Sequence, residues 1–92
     1  GITRQIQSTA ITSVIAGLAG IDQVTLATQG VKITLPTAVG DTNLYTIKNL
    51  STSSVLVATT GGQTIDADTT IIMPVQYTSV DLISDNSNWK IT

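Results

Sequence analysis

Two carboxylates two residues apart, Asp66 and Asp68, are the pair in this sequence best spaced for chemistry. In an extended segment, residues i and i+2 point to the same side. Their carboxyl groups would then sit near the roughly 5 Å lower limit of a glycosidase pair, or could join neighbouring carbonyls around a calcium ion. Both lie beside a turn, where solvent keeps them ionised, and Asx hydrogen bonds to the backbone are the simpler use of such residues. Asp81 with Asp85 is a weaker version of the same idea. Nucleophilic catalysis fares worse. A Ser or Thr nucleophile needs an adjacent base, and the sequence has no His. Lys32, Lys48 and Lys90 fall at outward strand positions, where an ammonium stays protonated. Without Cys or His a zinc site of the usual kind is excluded. Gly61-Gly62 lacks the Gly-Lys-Ser/Thr that completes a phosphate loop, and reads as a hairpin turn. No catalytic residue, metal site or cofactor is expected.

The remaining candidate chemistry is sugar stacking. Trp89, Tyr45 and Tyr77 are the only aromatic residues, and a carbohydrate-binding module would need them on an exposed platform. Trp89 follows a turn directly and alternates with Ile91, the pattern of a terminal strand that fills a core.

The elements that would carry these residues are strands. Thr, Ile and Val make up 37 of 92 residues, and Glu and Phe are absent along with His and Cys. β-branched side chains suit a pleated, half-buried surface and lose rotamer freedom in helices. Hydrophobic residues reach 41% and charged ones only 11%, with a net charge of −2. A small soluble monomer usually carries about a quarter or more of its surface as charge. A domain of this size buries only roughly 60–65% of its unfolded surface, so oligomerisation is the expected source of extra stability. No run approaches the ~20 apolar residues that span a bilayer, and membrane insertion is not expected. The four basic residues, Arg4, Lys32, Lys48 and Lys90, are scattered, which argues against nucleic-acid binding.

Residues 1–20 are ambiguous. Ile11, Val14, Ile15 and Leu18 fall at helical spacing, but Thr, Ser, Gly17 and Gly20 disfavour a helix. An extended N-terminal arm with a short strand near Ile11–Ile15 is the preferred expectation. From Ile21 onward, strands are predicted at Val24–Ala27, Val31–Leu35, Tyr45–Leu50, Val55–Thr59, Gln63–Asp66, Thr70–Met73, Tyr77–Ser84 and Trp89–Thr92. Gln29-Gly30 reads as a hairpin turn, Pro36 and Pro74 as strand stops, and Asp85-Asn86-Ser87-Asn88 as a turn. The expected fold is all-β: an antiparallel β-sandwich or jelly roll of seven or eight short strands over residues 21–92, with an arm at 1–20. The inward set is expected to be Val24, Leu26, Ile33, Leu35, Tyr45, Ile47, Val55, Val57, Ile65, Ile71, Val80, Leu82, Trp89 and Ile91. Three strands are apolar on both faces, and a sandwich needs one buried face per strand. Leu56, Ile72 and Ile83, on the opposite faces, are therefore candidates for a subunit interface.

The strings Ile33-Thr-Leu-Pro-Thr-Ala-Val-Gly40, Tyr45-Thr-Ile-Lys-Asn49, Gly61-Gly-Gln-Thr-Ile-Asp66, Tyr77-Thr-Ser-Val-Asp-Leu-Ile-Ser-Asp85 and Asn88-Trp-Lys-Ile91 occur in order across residues 31–92. In that order they resemble a small β-module of tailed-bacteriophage virion proteins, found in tail fibres, tail spikes, head fibres and capsid decoration proteins. The resemblance implies a homotrimeric, non-enzymatic structural or adhesive module in the extracellular particle, with no catalytic residues to transfer. Two roles stay open. A fibre or spike module would present loops such as Thr37–Asn43 and Ser51–Ser54 to a bacterial surface glycan. A decoration or head-fibre protein would dock on other virion proteins through its arm, with Ile2, Ile6 and Ile11 as the attachment residues.

Overall fold

A β-branched chain cut by Gly, Pro and Asx turns can form only short strands, and the structure consists of them. The computed structural model describes residues 3–92. Among these residues there is no helix, and there are nine strands. They are β1 (Thr3–Thr9), β2 (Ser13–Val14), β3 (Ile21–Ala27), β4 (Lys32–Thr34), β5 (Tyr45–Asn49), β6 (Val55–Ala58), β7 (Thr70–Met73), β8 (Ser79–Ser84) and β9 (Trp89–Ile91). One sheet has the order β1-β3-β5-β8-β9 and the other β2-β4-β6-β7. The side chains between them form one hydrophobic core.

The all-β class is as predicted, but the sheets are mixed where antiparallel ones were expected. β1 with β3, β3 with β5, β2 with β4, and β4 with β6 all run parallel. Only β5 with β8, β6 with β7, and β8 with β9 are antiparallel. As far as β6 the chain changes sheet after every strand. Each circuit (β1–β2, β3–β4, β5–β6) therefore lies on the next, as in a short β-helix. Parallel neighbours need a crossover of about a dozen residues or more, and here a strand of the opposite sheet supplies it. The later strands β7 and β8 then reverse direction and cover the third circuit.

Two local expectations change with this topology. Gln29-Gly30 is not a hairpin turn: β3 and β4 belong to different sheets, and the turn is the corner between them. A Cβ on Gly30 would lie 2.7 Å from Ser53 Cβ and 3.0 Å from the Ser54 carbonyl oxygen, so glycine is required by the close approach of the next circuit's corner. The N-terminal segment, expected as an arm, holds a paired strand. β1 pairs with β3 along its whole length, from Thr3 opposite Ile21 to Thr9 opposite Ala27. Without it the seven-residue edge of β3 would be left unpaired, a liability in any sheet. The strand stops at Pro36 and Pro74 and the Asp85–Asn88 hairpin turn are found as predicted.

The core contains Ile33, Leu35, Tyr45, Ile47, Val55, Val57, Ile65, Leu82 and Trp89, with Ile71 and Val80 packed against it. Val24 and Leu26 are corrections: they point outward, while Gln23, Thr25 and Ala27 are buried. Stacking across circuits explains this. Gln5, Gln23, Tyr45 and Leu82 form one inward row, and Gln7, Thr25, Ile47 and Val80 the next. Because side chains alternate with period two, fixing Tyr45 and Ile47 inward fixes Gln23 and Thr25 inward as well. Ile91, also expected inward, remains exposed at the end of the chain.

Candidate functional site

The carboxylates proposed for chemistry are held by local structure. Ile65–Asp68 is a tight turn, with the Ile65 N–H donating to the Asp68 carbonyl at 2.6 Å and the Asp68 N–H donating to the Ile65 carbonyl at 3.0 Å. Asp66 takes a φ of 56° in it, a conformation Asx side chains tolerate. Its Oδ1 accepts the Ile91 N–H at 3.4 Å. Asp81 accepts the Thr46 hydroxyl at 2.7 Å. Asp85 caps its turn by accepting the N–H groups of Asn88 (2.8 Å) and Ser87 (3.0 Å), with Lys90 Nζ 3.8 Å away. These hydrogen bonds, from Asn88 first and then Ser87, hold its carboxyl below the ordinary value, and Lys90 adds to the effect. Among the described residues no three acidic groups gather as a metal would need.

Two of the three aromatic rings are structural. Tyr45 and Trp89 are fully buried and meet edge to face, centroids 5.0 Å apart at 82°. The Trp89 indole N–H donates to the Pro36 carbonyl at 3.3 Å. The Tyr45 hydroxyl donates to Asp41 Oδ2. Burial, and next this hydrogen bond, raise the phenol well above its ordinary pKa. Tyr77 alone is exposed, so the three rings form no joint platform for a sugar.

The two loops proposed to face a receptor are tightly fastened. In Thr37–Asn43, the Ala38 N–H donates to Gln63 Oε1 at 2.8 Å, the Gly40 N–H to Asn86 Oδ1 at 2.7 Å, and the Asn43 N–H to Asp41 Oδ1 at 2.9 Å. Ser51–Ser54 is organised by buried Asn49, whose Nδ2 donates to the Ser53 and Met73 carbonyls, each at 2.9 Å, and whose Oδ1 accepts the Ser51 N–H at 2.8 Å. The first loop leads from the four-stranded sheet to the five-stranded one and the second leads back. They therefore lie on opposite corners of the stack. A groove of about 400 Å³ runs between the first loop and residues 17–20.

The apolar interface candidates fall on two flanks. Leu56 and Ile72 are directly opposed on β6 and β7, beside Lys32, on the outer face of the four-stranded sheet. Ile72 is 66% exposed and Leu56 half-buried. Ile83 lies on the outer face of the other sheet, opposite Lys90. Val24 and Leu26 share that outer face and were missed as surface residues, because their alternation is equally compatible with either side. Of the attachment candidates, Ile2 lies outside the described residues. Ile6 is in the middle of β1 and 55% exposed, and Ile11 is exposed at the following corner.

The first circuit is an open end. β1 and β2 are the outermost strands of their sheets, with no strand of the described residues on their free edges. Behind them a cleft of about 340 Å³ is lined by Gln5, Gln7, Thr9, Ser13, Gln23 and Thr25, among others. Gln7 Nε2 donates to Thr25 Oγ1 at 2.9 Å. Gln7 Oε1 and Gln23 Nε2 are buried and have no hydrogen-bond partner among the described residues. Comparison with protein-family models, with curated proteins and with solved structures finds no match for this chain.

Proposed function

We propose that this chain is a non-enzymatic structural module of a bacteriophage virion, assembled as a homotrimer and serving attachment to the particle or to the host surface. The observation that carries this reading is the pair of apolar flanks. Leu56 and Ile72 face outward on one sheet; on the other, Val24 with Leu26 and, beyond the polar Thr46, Lys48 and Asp81, Ile83 face the opposite way. A cyclic trimer uses a heterologous contact, in which one patch meets a different patch on the neighbour. Two distinct flanks on one protomer suit that contact, whereas a two-fold dimer would need only one. The short wound circuits and fastened corners suit a part whose work is to keep its shape.

The test is localisation. Particles of the phage or prophage that encodes the chain are purified on a density gradient, digested and analysed by mass spectrometry. Peptides of the chain co-sedimenting with particles at a stoichiometry divisible by three are expected. A chain abundant in the lysate and missing from the particles would overturn the virion reading.

A further inference from the structure

We propose that the open end of the stack is a docking surface for a second copy of this chain, formed by antiparallel pairing of β1 with β1 of the second copy about a two-fold axis at Ile6. The strand itself points to this occupant. Thr3-Arg-Gln-Ile-Gln-Ser-Thr9 reads almost the same in both directions about Ile6. A two-fold axis there sets Thr3 against Thr9, Gln5 against Gln7 and Ile6 against Ile6 of the second copy. Only Arg4 meets an unlike residue, Ser8, so no like charges oppose.

The backbone agrees with that axis. The Thr9 carbonyl accepts the Thr28 N–H at 2.9 Å and so faces the β3 side. Main-chain groups alternate sides along a strand, so those of Gln5 and Gln7 also face β3, while those of Arg4, Ile6 and Ser8 lie on the free edge. Ile6 and its symmetry mate then exchange both N–H···O bonds. Gln5 and Gln7 become the intervening non-hydrogen-bonded pair, whose side chains approach most closely. They project inward, where Gln7 Oε1 is buried without a partner among the described residues. A Gln5 carboxamide from the second copy brings the N–H it lacks. Outside, Ile6 beside Val24 would be covered by the same pair. The contact uses the end of the stack and leaves both flanks free. Where its two-fold axis meets the three-fold axis of the flank contacts, it closes two trimers end to end in dihedral symmetry.

The chain has no cysteine, so Ile6→Cys introduces a single thiol into the full chain. Opposed hydrogen-bonded residues have Cα atoms about 5.5 Å apart, within disulfide range. Mild oxidation is expected to link Ile6→Cys chains in pairs at least tenfold faster than Ile72→Cys chains, whose thiol lies on a flank. Ile6→Pro removes an N–H only from the free edge and spares the β1–β3 ladder. It is expected to halve the assembly mass in light scattering while the strand signal in circular dichroism is kept. Should Ile6→Pro lose that signal, Ile6→Lys sets two ammonium groups opposite each other and is expected to give the same halving. Equal linking rates for the two thiols, or an unchanged mass in a folded Ile6 variant, would overturn the proposal. Failure of the trimer alone would be distinguishable: the mass would still halve, from a number of chains not divisible by three.

Discussion

Asn49 shows how much of this fold rests on single polar side chains. It is completely buried, yet all its amide atoms are used: the nitrogen on two carbonyls, the oxygen on one N–H. Replacing it with Ala leaves the Met73 carbonyl and the Ser51 N–H buried and unpaired, at about 1–3 kcal/mol each before relaxation. Asn49→Ala is therefore expected to lower unfolding stability by about 3 kcal/mol, measurable as a shifted urea midpoint; a loss below about 1 kcal/mol would contradict its organising role. Asp85 gives a pH signature. Its carboxyl is held below the ordinary value of 3.8 by the N–H groups of Asn88 and Ser87. A depressed carboxylate stabilises the fold at pH values above that ordinary value, and the benefit disappears as pH falls through the folded value. Wild type should thus lose more stability on acidification below about pH 4 than Asp85→Ala does; equal slopes would refute the cap. The turn role of Asp85 was visible in Asp85-Asn-Ser-Asn88, and the buried place of Trp89 in its alternation with Ile91. Asn49 was not visible, because nothing in Lys48-Asn-Leu50 distinguishes a buried amide from an exposed one. Nor was the orientation of Val24 and Leu26. Alternation reveals two faces, and only the neighbouring Tyr45 and Ile47 decide which is inside.

At the scale of elements, strand positions were legible and their partners were not. Proline stops and Asx turns act locally, so most strands fell near their predicted places. Pairing depends on what lies across a corner. The stacked residues Gln5, Gln23 and Tyr45 are spaced 18 and then 22 residues apart, and this uneven step hides the repeat that marks wound folds. A Gly-containing turn between two alternating runs looks the same whether it folds a hairpin or turns a corner. Gly30 reports the difference. Gly30→Ala puts a methyl group 2.7 Å from Ser53 Cβ, and overpacking of this kind costs about 1–3 kcal/mol. A hairpin glycine free of neighbours would tolerate the change at well under that cost. The melting temperature of Gly30→Ala, with Ser53→Gly as a second substitution in the same chain, checks the contact. Partial recovery is expected in the double variant if the two corners touch as described.

At the scale of the molecule, composition and topology agree. Few charges, apolar residues on both outer faces and a small shared core are the grounds for the proposed trimer, and the winding divides those apolar residues between two flanks. The residues singled out for an interface from two-faced strands, Leu56, Ile72 and Ile83, lie on those flanks, divided between the two sheets. The sequence could not reveal that division, since a strand's outer face is known only once its sheet is. The most direct test of the trimer is the solution mass of the full chain beside that of Ile72→Lys, by light scattering at micromolar concentration. Wild type is expected at a multiple of three times the 9.6 kDa chain. Ile72→Lys, which sets a charge in a flank and leaves the core intact, is expected to reduce the mass threefold without loss of strand structure. A wild-type chain that runs as a folded 9.6 kDa monomer would contradict the trimer.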